Sequence, residues 1–327
     1  MKAAWFQTFG PAREVLQIGE MARPSPGPGE VLVRLETSAV NPSDVKKRAG
    51  SAPNLLDGGP VIPHSDGAGT IEAVGNGVDA GRIGERVWVY QAQHGRRLGT
   101  AAEFVTLDQR RAAVLPDNTG FDVGACLGIP AMTAHRCVFA DGPVDGLSVL
   151  VTGGAGRVGH YAIQWAAQAG ASVVATASKE ADRDACAAAG AQAVVSHREA
   201  GWAAQVLEAT GGRKIDRVID LEFGQNLGQV LDLVSVSGAI VTYGSAAEPE
   251  PVLPFYRMMF MDLLLRLVIV YDMPESAKTR AIEDIHDALE NNRLQHRIAH
   301  LMPLDDIAMA HEIVEQGQVR GGVVLKT

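Results

Sequence analysis

One segment, Val149-Leu150-Val151-Thr152-Gly153-Gly154-Ala155-Gly156-Arg157-Val158-Gly159, constrains this chain more than any other. A short apolar run is followed at once by closely spaced glycines, and then by residues 158–169, which carry helical spacing and end at Gly170. Gly154, Gly156 and Gly159 form G-x-G-x-x-G, while Gly153, Gly156 and Gly159 recur at every third position. Glycine permits a tight turn and the close approach of backbone to a pyrophosphate. The helix that follows offers free N–H donors and partial positive charge at its N-terminus. A lone G-x-G-x-x-G is weak; this one follows a strand, opens a helix and sits inside a βαβ unit, which is the context such a site requires. The plain alternative is a glycine-rich turn that holds nothing.

The surrounding pattern predicts the architecture. Residues 148–152, 172–176, 193–195, 217–220 and 239–243 read as short apolar strands, with a further helix over 182–189, and 267–271 reads as the last strand. Strands alternating with helices imply right-handed βαβ units around a parallel sheet. The first third is different: turn clusters such as Pro24-Ser25-Pro26-Gly27-Pro28-Gly29 separate short strands at 31–35, 70–74, 86–90 and 102–106, which suggests a β-rich domain. Residues 122–139 have helical spacing interrupted by Pro130. Beyond the sheet, 275–291 reads as an amphipathic helix, and 296–301 and 323–325 as strands around a helix over 304–316. The expected organisation is 1–122, a β-rich domain; 123–271, a doubly wound parallel-sheet domain; and 272–327, a return to the first.

Composition narrows the function classes. The chain has 327 residues, which favours two domains, and 46% are apolar, which is incompatible with a disordered main state. Lys plus Arg number 29 against 38 Asp plus Glu, a net charge of −9, so general binding to a nucleic-acid backbone is not expected. Cys126, Cys137 and Cys186 form neither a disulfide framework nor a C-x-x-C pair. The first residues lack the apolar run of a signal peptide, and the most apolar stretch, 263–271, is broken by Arg266. A cytoplasmic protein with no membrane partner is the expectation.

The end of the second strand of a dinucleotide fold discriminates between cofactors. An NAD site usually has an acid there to accept the ribose hydroxyls. Here the residues are Thr176-Ala177-Ser178-Lys179, and Glu180 comes late. Ser178, Lys179 and Arg183 supply a hydroxyl and two cations suited to a 2′-phosphate, which favours NADPH.

Taken together, several motifs resemble the quinone oxidoreductase and ζ-crystallin branch of the medium-chain dehydrogenase/reductase superfamily. They are Asn41-Pro42-Ser43-Asp44, Arg48-Ala49-Gly50, Asp66-Gly67-Ala68-Gly69, Gly84-Glu85-Arg86-Val87-Trp88, Ala102-Glu103-Phe104, Leu127-Gly128-Ile129-Pro130-Ala131, the glycine loop and Gln164. The resemblance implies a GroES-like β-rich catalytic domain plus a Rossmann domain. Zinc enzymes of the superfamily have Cys where Asn41 stands and Gly-His-Glu where this chain has His64-Ser65-Asp66, so no metal is expected. Without a base or a Lewis acid, alcohol oxidation is hard, whereas a quinone or an α,β-unsaturated carbonyl accepts hydride at carbon readily.

The resemblance also implies roles residue by residue. Asn41 and Thr133 fall at the nicotinamide end, and Gly153, Gly154, Ala155, Gly156, Arg157, Val158 and Gly159 along the pyrophosphate. Ser178, Lys179 and Arg183 surround the adenosine phosphate, with His197 beside adenine, and Leu221, Tyr243, Gly244 and Ser245 follow strand ends. Lys46 replaces a pocket tyrosine of relatives. Candidates for the chemistry are Asn41, Lys46, Tyr90 and Thr133, with Gln93 and His94 as further substrate contacts, while Arg320 is offset from a basic residue of relatives. The implied activity is hydride transfer from NADPH to a small-molecule acceptor, a quinone or related enone. The alternatives are a 2-alkenal or enoyl reductase and a nucleotide-binding protein with little turnover. An exposed apolar edge strand over 263–271 would join two copies into one sheet.

Overall fold

The computed structural model describes residues 1–317 and 319–327. The chain divides into two compact units, 1–129 with 282–327, and 130–281.

In the second unit six strands, all parallel, lie in the spatial order Ala193–Val195, Ser172–Thr176, Ser148–Val151, Ile215–Asp220, Val234–Thr242, Leu264–Leu267. Numbered along the chain that order is 3-2-1-4-5-6, so the strand order reverses between Ser148–Val151 and Ile215–Asp220, and ligands of such sheets bind beyond the carboxyl ends at that crevice. The central strand Ser148–Val151 is almost wholly apolar because both its faces are covered; Val149, Leu150 and Val151 have no exposed surface. Helix Arg157–Gln168 returns the chain over the sheet, burying Ala162, Ile163 and Ala166 at helical spacing. Helices Trp202–Ala209 and Phe223–Leu233 pack with Trp202, Val206, Leu227, Val230 and Leu231 in one apolar cluster.

Two expectations need correction here. The last strand is Leu264–Leu267, not 267–271. Its neighbour ends at Thr242, which is paired with Leu267, and the chain then turns at Tyr243-Gly244, so residues beyond 267 have no ladder to join. The helix expected over 122–139 is three pieces: helix Phe121–Gly124, a π-helical turn Leu127–Ala131, and helix Met132–Phe139. Pro130 has no N–H to give, and the Ile129 N–H is diverted to Asp66 Oδ2 at 2.7 Å, so two consecutive ladder bonds are missing and the turn widens.

The first unit is built on a seven-stranded sheet ordered Ile298–Pro303, Gly322–Lys326, Glu30–Val40, Asp66–Val74, Arg86–Val89, Ala112–Val114, with Phe104–Asp108 also paired to Glu30–Val40. All pairs are antiparallel except the first, and the C-terminal strand lies directly against Glu30–Val40. Alternate residues Val31, Val33 and Leu35 face a core with Ile71, Val87, Val89, Val105 and Leu107. A GroES-like β unit and a Rossmann unit thus make up the chain. The short helix Pro42–Arg48 follows the longest strand at once, with Asn41 as its N-cap and Pro42 in its first turn.

Candidate active site

The glycine turn is fixed by hydrogen bonds to the second strand and by close packing. Gly153 N–H donates to Thr176 Oγ1 and Gly154 N–H to the Thr176 carbonyl, each at 2.9 Å. Gly153 has φ +61°, which favours glycine, and a Cβ there would strike Leu221 Cδ2. At Gly159 a Cβ would come within 2.4 Å of the Gly153 carbonyl oxygen, so the helix can seat on the turn only with hydrogen at that position. Gly156 caps the helix, and a Cβ on it would meet only the Gly153 carbonyl oxygen, at 3.1 Å. The amides of the first helical turn, from Arg157 onward, therefore stand at an approachable N-terminus.

Thr152 stitches the two sides of the crevice. Its amide donates to the Ile219 carbonyl, its hydroxyl donates to Asp220 Oδ1 at 2.7 Å, and its Oγ1 accepts from the Leu221 amide at 3.2 Å. Asp220, fully buried, also accepts from the Glu222 amide and from Asn226 Nδ2. Glu222 Oε2 in turn accepts from the consecutive amides of Ala246 and Ala247, both at 3.0 Å, which ties the loop after Tyr243-Gly244-Ser245 to the strand end. The Tyr243 phenol is pushed well above its ordinary range, first by burial and then by Cys137, Asp220 and Glu222. Asp220 and Glu222 are the organising carboxylates of this end, and neither was among the residues expected from sequence.

At the end of Ser172–Thr176, Ser178 Oγ lies 3.4 Å from the ring nitrogens of His197. Lys179 caps the helix Glu180–Ala188 and is exposed, and Arg183 is half-buried in its first turn. Glu180 is exposed and Asp182 buried in that same turn. The turn, the helix N-terminus and this hydroxyl-and-cation group fit a phosphorylated dinucleotide. Thr133 is buried in Met132–Phe139, and Gln164 Nε2 donates to the His160 carbonyl within its own helix.

In the first unit Asn41 is the centre of a buried polar group. Its backbone N–H donates to Asp44 Oδ2 at 2.8 Å and its Nδ2 to Asp66 Oδ2 at 2.9 Å. Asp66 has no exposed surface, and burial, with the charge of Asp44 as a lesser cause, pushes its carboxyl up to about 8 against the pull of the Ile129 amide, Asn41 and Lys47. Lys46 is exposed, whereas Lys47 is half-buried, donates to Gln93 Oε1 at 3.1 Å, and is lowered by burial. Tyr90 is buried beside Trp88 and donates to the Arg110 carbonyl at 2.8 Å, while His94 is exposed. Arg320 is exposed and donates to the Gly317 carbonyl at the end of helix Ile307–Gln316. Asp66 and Lys47 were not among the expected residues, though both act on the Asn41 group; an acid within a run of small residues was the available signal.

This donor set does not suit tetrahedral zinc, which takes thiolate, imidazole and carboxylate ligands. Asn41 spends its amide on Asp66, Ser65 offers only a hydroxyl, and both nitrogens of His64 are engaged, with Ser38 Oγ at 2.8 Å and His311 Nε2 at 2.9 Å. Among the described residues no three His, Cys, Asp or Glu side chains converge as ligands.

Comparison with known proteins gives the same picture over the whole chain. Residues 27–117 match the alcohol dehydrogenase GroES-like domain, and residues 158–287 match the family described as zinc-binding dehydrogenase. Quinone oxidoreductase of Homo sapiens is 31% identical over 324 residues, covering 98% of this chain and 95% of that one. Among solved structures, a mycobacterial protein complexed with NADPH is 29% identical with a TM-score of 0.87, and an NAD-dependent alcohol dehydrogenase is 29% identical with a TM-score of 0.91; each likeness covers all of both chains. Identity at this level over nearly the whole chain, with both domain families matched, places the chain in the quinone oxidoreductase branch of the medium-chain dehydrogenase/reductase superfamily.

Proposed function

We propose that this protein reduces a quinone or a related activated enone with NADPH, as a homodimer and without a metal. The observation that carries the reading is the group around Asn41: an amide locked on a buried carboxyl stands where the superfamily's zinc enzymes have a thiolate ligand. Removing a hydroxyl proton as hydride departs needs a base or a Lewis acid, so such a site favours acceptors that take hydride at carbon. Bound NADPH supplies that hydride. The chain's own residues bind and orient: the glycine turn and first helical turn receive the pyrophosphate, while Ser178, Lys179 and Arg183 receive the 2′-phosphate. Asn41 presents a carboxamide to the acceptor, and the oxyanion that forms is stabilised by hydrogen bonds or protonated from water. A 2-alkenal or enoyl reductase uses the same hydride geometry, and a substrate panel separates the two.

The test is NADPH oxidation with naphthoquinones, 2-alkenals and haloacrylates, with and without chelator. The expected result is chelator-insensitive turnover with quinones. Lys179→Ala with Arg183→Ala should weaken NADPH on the order of 10²-fold, from two lost charge-assisted contacts, and leave NADH little changed. Equal losses for both cofactors would remove the 2′-phosphate assignment. Tight NADPH binding without turnover on the whole panel would leave a nucleotide-binding protein.

A further inference from the structure

Asp66 is satisfied on one side only. Both donors that reach its carboxyl, Asn41 Nδ2 at 2.9 Å and the Ile129 amide at 2.7 Å, end on Oδ2. Oδ1 is buried and has no hydrogen-bond partner among the described residues. It lies against Gly128 so closely that a Cβ there would approach to 2.2 Å. An ionised carboxylate is an acceptor at both oxygens, whereas a carboxylic acid has one carbonyl oxygen that accepts and one hydroxyl. Two donors on Oδ2 match an acid whose carbonyl is Oδ2, with an Oδ1 hydroxyl that has no partner among the described residues, where an anion would leave a charged oxygen bare. Gly128 and Ile129 belong to the π-helical turn, so the same oxygen that holds Asn41 also takes the amide whose loss from the helical ladder widens that turn.

The surroundings agree. The charged groups acting on Asp66 are Asp44 and Lys47, both on the helix Pro42–Arg48. The other neighbours carry no charge: Ala39, paired with Asp66 in the strand Glu30–Val40; Thr100, which donates to the Asp66 backbone carbonyl at 2.7 Å; and Gly128 with Tyr90. His64, two residues away, is kept neutral by burial. Burial is also the largest influence on Asp66 itself, and it favours the protonated form at neutral pH.

We propose that Asp66 is a positioning residue whose neutral acid form fixes the orientation of the Asn41 carboxamide. With its nitrogen held by Asp66 Oδ2, its backbone N–H held by Asp44 Oδ2 and its side chain set against the Asp44 backbone N–H in a capping box, the Asn41 carboxamide has one orientation. Loss of the Asp66 proton leaves a bare anionic Oδ1 in a site without a donor. Lys47, the cation that acts on Asp66 and now donates to Gln93 Oε1, would be drawn toward that charge, disturbing the helix that Asn41 caps. Turnover therefore falls as Asp66 ionises. This rests on the reading of Asn41 as part of the active site.

The experiment is kcat from pH 6 to 10 with NADPH and 9,10-phenanthrenequinone for the wild type, Asp66→Asn and Lys47→Met, with NADPH binding followed by its fluorescence. Wild-type kcat should fall about tenfold per pH unit above an alkaline limb near 8. In Asp66→Asn the amide oxygen accepts both donors and its NH2 replaces the acid hydroxyl, so kcat at pH 6.5 should stay within about threefold of wild type and the limb should vanish. Lys47→Met removes the cation that favours the carboxylate, and its limb should move to higher pH. An unchanged limb in Asp66→Asn, a tenfold or larger loss at pH 6.5 with NADPH binding intact, or an unmoved limb in Lys47→Met would each overturn the assignment. A wild type that binds no NADPH overturns the functional reading and this inference with it.

Discussion

His64 has φ +77°, in the left-handed region where a residue with a Cβ costs about 1 kcal/mol or more. It stands where the superfamily's zinc enzymes have glycine, and its ring is repaid by a fully buried hydrogen-bond chain. Thr100 donates to the Asp66 carbonyl, so Ser38 must donate to Thr100 and accept from His64 Nδ1. His64 Nε2 is then bare and accepts from His311 Nε2–H, while His311 Nδ1 is buried without a partner among the described residues. Burial lowers His64 to about 3 and His311 well below its ordinary value, with His64 and Arg48 as further causes for the latter. The unfolded chain takes up these protons as pH falls below about 6.5 while the folded chain does not, so stability is lost toward acid and unaffected above 6.5. The expected loss between pH 6.5 and 5 is roughly 2 kcal/mol for each histidine. Thermal unfolding across this range checks it: His64→Asn with His311→Leu should lose most of the acid dependence, because His296, which burial lowers to about 4, and Asp66, which burial raises to about 8, act with opposite sign between pH 6.5 and 5. A double variant with the wild-type slope would refute the pairing. The pairing of His64 was not legible in the sequence, because a partner 247 positions away leaves no local signal. Asn41 was legible as a site residue only through resemblance. The inward turn of Lys47 in place of Lys46 is set by burial that no single sequence displays.

At the scale of elements, legibility followed the range of the forces. The strand–turn–helix around the glycines was readable almost to the residue, because the apolar run, the glycines and the helical spacing agree locally; the strand Ser172–Thr176 is as expected, and helix Arg157–Gln168 differs by one position at each end. Helices Trp202–Ala209 and Phe223–Leu233 were overlooked, although Leu227, Val230 and Leu231 carry the i, i+3, i+4 spacing. The π-helical turn and the short last strand were not readable at all, since a carboxylate from another strand makes the one and the end of a neighbouring strand limits the other. The turn itself separates folding from binding. Gly159→Ala sets a Cβ 2.4 Å from a backbone oxygen and should destabilise the protein without cofactor by about 1–3 kcal/mol. Gly156→Ala meets only one atom, at 3.1 Å, so its melting temperature should stay nearly unchanged while NADPH affinity falls severalfold or more. Differential scanning fluorimetry and a binding titration on the two variants check this. A Gly159→Ala protein as stable as wild type would mean that the helix can shift on the turn.

At the scale of the whole molecule, the parallel sheet has an edge that no described residue pairs. Strand Leu264–Leu267 bonds to Val234–Thr242 on one side, and its one charged residue, Arg266, is held by Asp141. Charged side chains are the usual guard against pairing at an edge, and here that guard is engaged inward. Around it Phe255, Tyr256, Phe260, Leu267 and Ile269 are each more than half exposed, whereas Met258 and Met261 of the same segment pack on the core. Isolated exposed apolar residues need no explanation, but several of them beside an unguarded edge support the homodimer proposed above, in which the same edge of a second copy would match its hydrogen bonds. Sedimentation at about 10 μM should therefore give a dimer, with a buried area on the order of 800 Å² per partner or more. Leu267→Lys with Ile269→Lys would place four cations across the two-fold axis in an apolar seam. A desolvation cost of several kcal/mol should then yield monomers with the fold intact. A monomeric wild type, or a dimer that survives both lysines, would show that this edge faces solvent.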